Sequence, residues 1–407
     1  MEQTVDRTFY KDAALEHNPR IVESILVCII AFSATVGEQM NVYFPFASKI
    51  YVFSGFLLLL MMCFRRLLRL QSGERILAKM PGSFWMLFFV IFLVTFARLF
   101  SSGVSIGILD LVERMKTPLF MLYGVVLCTA FLDYEKNMDM FCWSYLLGFI
   151  LMIPFGRSGD FTTAYRFVGT YTNPNTYGVD CIIALFMSMY LLKDRKLWVI
   201  KTLFALAAVV CLLRTGSRGA LMSVLLGIAL IFMFTKDFQK KFIFITLGIA
   251  AAISIFLYSF KDTSGVFVRL FEKSYSGNVR LQVWQAYFEN FSKFFFFGAS
   301  ESVISTIHKY TPHNSFLGVL VRYGIFALVP YIAFILYNLR YSFKKGRDRA
   351  AGYSDRVLSS LIFSLTMSGM TMENINHRAT WVILALVLYN VYNYEKRPRI
   401  KFVMGRK

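Results

Sequence analysis

The chain has 407 residues, of which 57% are hydrophobic and only 17% charged, and its mean hydropathy is +0.55. That composition excludes a soluble domain, in which about a quarter of residues are charged. The net charge of +20 does not indicate nucleic-acid binding either, because no soluble basic segment is large enough to carry it.

Apolar runs of about 20 residues, the length that crosses a bilayer as helix, recur from end to end. Lipid offers the backbone no hydrogen-bond partners, so helices are expected. Twelve spans are predicted, near 20–37, 45–64, 83–101, 115–132, 138–156, 175–192, 197–213, 217–235, 242–259, 313–339, 355–372 and 379–394. The first reads as a retained span, since no small-residue cleavage site follows it. The fourth carries Glu113, Arg114 and Lys116 at its edge. With no internal repeat and no low-complexity tract, residues 1–407 read as a single all-α polytopic membrane domain with one large loop.

Alternate loops are rich in Lys and Arg: "RRLLRLQSGERILAK" (65–79), "KDRK" (193–196), "KDFQKK" (236–241), "RYSFKKGRDRAAGYSDR" (340–356) and the tail "EKRPRIKFVMGRK" (395–407). The positive-inside rule places these loops and both termini in the cytoplasm. It leaves 260–312, between spans nine and ten, on the outer face, with Lys293 outside and Lys345 inside. Much of the net charge then reflects topology and attraction to anionic lipid of the inner face. Cysteines 28, 63, 128, 142, 181 and 211 all fall within spans, with neither a disulfide framework nor metal-ligand spacing.

The same map puts Arg157, Arg166, Arg214, Arg218, Arg269, Arg280 and Arg378 outside, against the usual bias. In "CLLRTGSRGALMSVLLG" (211–227), Arg218 opens the eighth span with Ser217 as its N-cap. A cation there opposes the positive end of the helix dipole. The arrangement makes sense when an anion sits between Arg214, Arg218 and the helix start, because the planar guanidinium binds phosphate in bidentate fashion. The alternative is that the arginines snorkel to lipid headgroups.

Other helix starts on this face are polar as well. Asn173-Pro174-Asn175 forms a turn and cap before the sixth span. "YTPHNSFLGVLVRYGIFAL" (310–328) opens the tenth, with Thr311 as N-cap, Pro312 at the first helical position, and His313 and Asn314 in the first turn. "MENINHRAT" (372–380), with Glu373, His377 and Arg378, precedes the twelfth. Together these starts point to one shared outer site.

The 260–312 loop is long enough to carry function. Within it, 278–298 reads as an amphipathic helix capped by Asn278, with Arg280 in its first turn. Trp284, Phe288, Phe291 and Phe295 lie on one face, set against membrane or core. Of the four histidines, His17 lies in the cytoplasmic tail, while His308, His313 and His377 are outside. A neutral histidine can accept a proton from an attacking sugar hydroxyl. His313 is the candidate, and a structural cap is the competing role.

"RTGSRGAL", the "NPN-T-Y-G" turn and "PHNSFLGVLVRYGIFAL" after a long outer loop resemble the O-antigen ligase/polymerase family. The resemblance runs from about Phe167 to Leu328, and the amino-terminal third shares only the hydrophobic layout. It implies a fold of the GT-C type in a bacterial cytoplasmic membrane. It also implies inverting transfer of a glycan from undecaprenyl diphosphate to an acceptor hydroxyl, without cofactor, metal or nucleotide sugar. Arg218 matches the arginine after the family's Thr/Ser pair, Arg280 the loop arginine and His313 the histidine of the "HN" motif. The diphosphate would lie among Arg214, Arg218 and Arg280, supported by Asn173, Asn175, Asn314, Glu373 and Arg378. Partners would be the lipid-linked donor, the acceptor, membrane lipids and, for a polymerase, a chain-length regulator.

Arg322-Tyr323-Gly324 departs from relatives, which often carry an acidic or amide residue before the glycine; Arg322 either pairs with a carboxylate such as Asp180 or snorkels. A repeat-unit polymerase and a ligase that transfers the finished chain to a terminal acceptor fit equally well. A transporter or flippase of lipid-linked substrate fits less well, because transporters bind at the midplane and show internal repeats.

Overall fold

A computed structural model describes residues 21–44, 46–68, 80–101, 111, 114–161, 164–234, 276–308, 310–348, 351–372, 382 and 384–390. The expected ninth span, together with Arg269, Glu373, His377 and Arg378, lies outside the described residues.

The described chain is a helix bundle. Its helices are α1 (Ile21–Ala34), α2 (Ile50–Leu68), α3 (Gly82–Ser101), α4 (Lys116–Asp133), α5 (Lys136–Met152), α6 (Pro174–Leu191), α7 (Trp198–Thr215) and α8 (Arg218–Phe234). They continue with α9 (Ser276–Glu289), α10 (Glu301–Ile307), α11 (Ser315–Tyr323), α12 (Ile325–Arg347) and α13 (Tyr353–Thr371). Residues 384–390 are helical too. Among the described residues, five helices are long and apolar enough to cross a membrane, namely α3, α4, α5, α7 and α12, while α1, α2 and α8 are shorter apolar helices.

Helix α6 is buried along almost its whole length. It is apolar nearly all round, and such a helix belongs inside a bundle. It packs against α5, α7, α8 and α13. The peripheral helices instead turn large apolar side chains outward, such as Phe53 and Leu57 on α2 and Phe89 and Leu93 on α3. Apolar surface of this extent needs an apolar surrounding.

The expected loop between 157 and 174 contains a two-stranded antiparallel hairpin, β1 (Arg157–Phe161) and β2 (Ala164–Gly169). Its strands are short and lack a clear alternation of apolar residues, so periodicity does not reveal them. Gly37 N–H donates to Thr170 Oγ1 at 2.9 Å and Tyr171 Oη donates to the Ala34 carbonyl at 3.2 Å, which fastens the hairpin to the end of α1.

Two expectations are corrected here. The tenth span does not run unbroken over 313–339, because it splits at Gly324 into α11 and α12. Gly324 (φ 79°) and Gly298 (φ 73°) let two backbones come together, and a Cβ on Gly324 would lie 2.0 Å from the Phe296 carbonyl oxygen. Ile325 N–H then donates to the Phe295 carbonyl, and Ala299 N–H to that of Val321, both at 2.7 Å. The Phe295–Gly298 segment thus takes backbone bonds at the break between the helices.

The basic loop read at 340–356 is also mostly helix, since α12 runs to Arg347 and α13 starts at Tyr353. Lys345 is 1% exposed, and its Nζ lies 3.1 Å from Asp355 Oδ1 and donates to the Asn390 carbonyl at 2.6 Å. A buried ammonium is tolerable only with such partners.

Candidate active site at the arginine end

The site begins at the turn between α7 and α8. Gly216 adopts a left-handed conformation (φ 57°) and ends α7. Ser217 then caps α8, its Oγ accepting from Ala220 N–H at 3.4 Å and its carbonyl from Leu221 N–H at 3.0 Å. Arg218 therefore stands in the first position of α8, as expected.

Arg166, on β2 and only 4% exposed, fixes this turn. It donates from Nε to the Thr215 carbonyl and from a terminal nitrogen to Asn175 Oδ1 at 3.0 Å. Asn173 caps α6, its side chain accepting from Asn175 N–H at 2.8 Å. Both asparagines thus shape the helix start, and Arg166 ties it to the turn ahead of α8. Nothing in the sequence separates Arg166 from the other arginines of this face.

The second wall is the start of α11. Its N-cap is Asn314, whose Oδ1 accepts from Phe316 N–H at 2.9 Å and Leu317 N–H at 3.0 Å. Thr311 is not the cap, and His313 and Asn314 precede the first turn. An asparagine carboxamide reaches two free N–H groups at once, and this favours it as a cap. Asn314 Nδ2 also donates to the Met370 carbonyl at 3.1 Å, and Ser315 Oγ to that of Met372 at 2.9 Å. These bonds hold α11 against the end of α13. Gly219 of α8 faces Thr371 from the other side, so Arg218 and His313 flank the same helix end. His313 has a positive φ of 50°, uncommon for a residue with a Cβ.

The third wall is α9. The expected helix over 278–298 starts at Ser276 and ends at Glu289, and of the aromatic face expected against membrane or core, Trp284, Phe291 and Phe295 pack on the cluster formed by the buried Val283 and Tyr287. Phe291 and Phe295 lie beyond the helix end, Phe288 is exposed, and Val283 and Tyr287 are buried. Two aromatic side chains of α9 also donate hydrogen bonds. Trp284 Nε1 donates to the Pro312 carbonyl at 2.7 Å, and Tyr287 Oη to that of Tyr310 at 3.1 Å. The aromatic residues clamp the segment leading into His313. Arg280, four residues before Trp284, is brought to His313 on the same side of α9.

Electrostatics join the three walls. Burial and then the Arg218 charge lower the pKa of the half-buried Arg280. Burial and then the Arg280 charge hold His313 below the usual 6.5 of histidine. Arg280 is therefore within electrostatic reach of both Arg218 and His313, and the lowered pKa of His313 favours its neutral form near pH 7. A cluster with two cations and a neutral imidazole can bind an anion and accept a proton.

Arg214 takes a different direction. It is exposed and stacks over the Phe167 ring, 5.1 Å from its centroid. Arg322 pairs with Glu301 and not with Asp180, because Asp180 is buried within α6 beside Tyr145 Oη at 3.1 Å. The Arg322 carbonyl accepts from Arg98 at 2.7 Å, and the Phe297 carbonyl from the same nitrogen at 3.1 Å. Arg98 and Arg322 dock the loop onto α3. His308 Nδ1 accepts from Tyr310 N–H at 3.1 Å, a bond within its own turn.

Fold and site define an integral membrane protein with a cluster of cationic side chains at one end of a helix bundle. The family model described as O-antigen ligase matches residues 202–332, the stretch that contains Arg214, Arg218, Arg280 and His313. The match supports assignment to the O-antigen ligase/polymerase family, whose members act on lipid-linked glycans, and with the apolar helices it implies an integral inner-membrane protein. No curated protein matches the chain.

Proposed function

We propose that the protein is an inverting, metal-independent membrane glycosyltransferase that moves a glycan from undecaprenyl diphosphate to an acceptor hydroxyl at the outer face of the cytoplasmic membrane. The observation that carries this reading is the joining of Arg218, Arg280 and His313 through segments far apart in sequence. Arg218 and Arg280 hold the diphosphate and stabilise the charge that grows on it as the anomeric C–O bond breaks. His313 takes the proton of the acceptor hydroxyl as its oxygen forms the new bond to that carbon. In-line attack inverts the anomeric centre. Asn173, Asn175 and Asn314 support the site, Glu373 and Arg378 complete the outer set, and Arg214, stacked on Phe167, stands outside it. The α9–α11 segment covers the donor and limits its hydrolysis by water. The reading includes twelve spans, a fold of the GT-C type and cytoplasmic termini.

A repeat-unit polymerase is the reading preferred here. A ligase is the alternative within the same family. Glycan analysis of a strain lacking the protein separates them. Single repeats on the final acceptor identify a polymerase, and long chains left on undecaprenyl diphosphate identify a ligase. Lipid-linked substrate trapped on the inner face would overturn both in favour of a flippase.

A further inference from the structure

Tyr310 joins an exposed aromatic ring to a fixed backbone. Its N–H donates to His308 Nδ1 at 3.1 Å, and its carbonyl accepts from Tyr287 Oη at 3.1 Å. Two residues on, the Pro312 carbonyl accepts from Trp284 Nε1 at 2.7 Å. The His308 ring packs beside the Tyr310 ring, 5.5 Å between centroids and tilted by 38°. Tyr310 is nevertheless 44% exposed. Single apolar side chains on a surface are ordinary. A segment held by hydrogen bonds on both sides of such a ring is not, because each ordered residue costs conformational entropy.

The ring has a defined place relative to His313. From Arg280 through Trp284 to Tyr287, α9 advances about 10 Å along its axis. Trp284 meets Pro312 and Tyr287 meets Tyr310, so the 310–313 segment runs antiparallel to α9. His313 lies toward its Arg280 end, where the Arg280 charge reaches it, and Tyr310 lies at the far end. Three residues of chain span at most about 10 Å, so a short stretch of glycan reaches from Tyr310 to the imidazole. In an in-line displacement the nucleophile enters opposite the leaving group. With the leaving diphosphate at Arg218 and Arg280, the incoming hydroxyl belongs on the side of His313 away from them, which is the side of Tyr310.

We propose that Tyr310 is a glycan-binding residue that seats the acceptor sugar and helps to select it. A pyranose ring has a face of C–H bonds, and their slight positive charge suits the electron-rich face of an aromatic ring. A sugar with an axial hydroxyl on that face is held off the ring and binds less well. Stacking on Tyr310 therefore sets both which sugar is accepted and how its hydroxyl meets His313. The inference rests on the glycosyltransfer reading and adds a residue on the acceptor side of it.

The experiment is acceptor kinetics of the full chain in proteoliposomes, at saturating lipid-linked donor purified from a strain lacking the protein. Two acceptor probes are offered: the repeat-unit glycan on a water-soluble short-chain prenyl diphosphate, and the unmodified final acceptor of that strain. Tyr310→Ala and Tyr310→Leu should each raise the acceptor KM about tenfold, the order expected for loss of one aromatic contact face, with little change in kcat or in the KM for the donor. Tyr310→Phe and Tyr310→Trp keep a ring and should restore the acceptor KM. Both anchoring bonds use the Tyr310 backbone, so these variants leave the His313 segment in place. Retained binding of undecaprenyl diphosphate checks that each variant is folded. An acceptor KM unchanged in Tyr310→Ala overturns the assignment. So does a Tyr310→Leu protein that matches wild type, which would make the ring an apolar contact with the membrane interface. A fall in kcat at unchanged acceptor KM overturns it as well, because Tyr310 would then only position His313. A wild type that glycosylates neither probe overturns the transfer reading itself, and the role of Tyr310 with it.

Discussion

The two ends of the bundle treat positive charge differently. At one end lysines meet acidic partners and amides. Lys193 lies 2.5 Å from Asp139, and Lys345 sits between Asp355 and Asn390. At the other end arginines dominate, and many of them meet carbonyls or rings. Arg166 and Arg98 donate to carbonyl oxygens, Arg157 and Arg214 lie over Tyr43 and Phe167, and Arg280 feels the charge of Arg218. Arg322 with Glu301, and Lys201 with the Asp194 backbone carbonyl and the Trp143 ring, are exceptions. Carboxylate partners neutralise the field of a cation inside the protein. Carbonyls and rings orient the cation while its charge stays available to an anion. The lysine end is built for stability and the arginine end for binding, and each variant below tests that division.

The largest effect is expected at His313. His313→Ala should lower turnover about 10²–10⁴-fold, the range for a positioned base, while purified protein still binds undecaprenyl diphosphate. His308→Ala, whose imidazole serves only its own turn, should keep most activity. In wild type the neutral imidazole is the active form, so the rate should be full above its pKa and fall as pH drops through a value below 6.5. An acid limb centred above 6.5 would contradict the cationic surroundings assigned to His313.

Next come the phosphate arginines. Arg218→Lys and Arg280→Lys keep charge and lose the bidentate fork, and each should cost about 10- to 100-fold in kcat/KM, as expected for a charged hydrogen bond, at normal protein level. Full activity in both would mean that they only face lipid headgroups.

Trp284→Phe removes the donor to the Pro312 carbonyl and keeps the ring. Loss of one hydrogen bond of about 1 kcal/mol should lower kcat about fivefold, leave KM for the donor unchanged and leave the protein folded. A change in KM alone would show that α9 does not place His313.

The smallest effect on turnover belongs to the lysine end. Lys345→Met leaves Asp355 buried without its ammonium and should cost about 3–5 kcal/mol of stability, much of which Lys345→Met with Asp355→Leu should restore. In thermal unfolding the double variant should melt above the single one, and the KM of the surviving protein should match wild type. The exposed Lys344 is then the position for topology labelling: Lys344→Cys should resist an impermeant reagent that marks Lys293→Cys.

The sequence alone determined the membrane class, the approximate positions of most of the described apolar helices and the residues worth testing. Bilayer thickness imposes a long apolar run on each span, and a cap such as Ser217 or Asn173 is a local choice read from neighbouring residues. The tertiary structure decided how those residues combine. Only packing could place Arg166 between Thr215 and Asn175, move the cap of α11 to Asn314, break the tenth span at Gly324, or turn Trp284 and Tyr287 into clamps for the His313 segment. Only packing also directs Arg214 and Arg218, four residues apart, to different neighbours. These outcomes depend on groups brought together across 9 to 56 positions of sequence, whose mutual hydrogen bonds and charges leave no periodic trace along the chain.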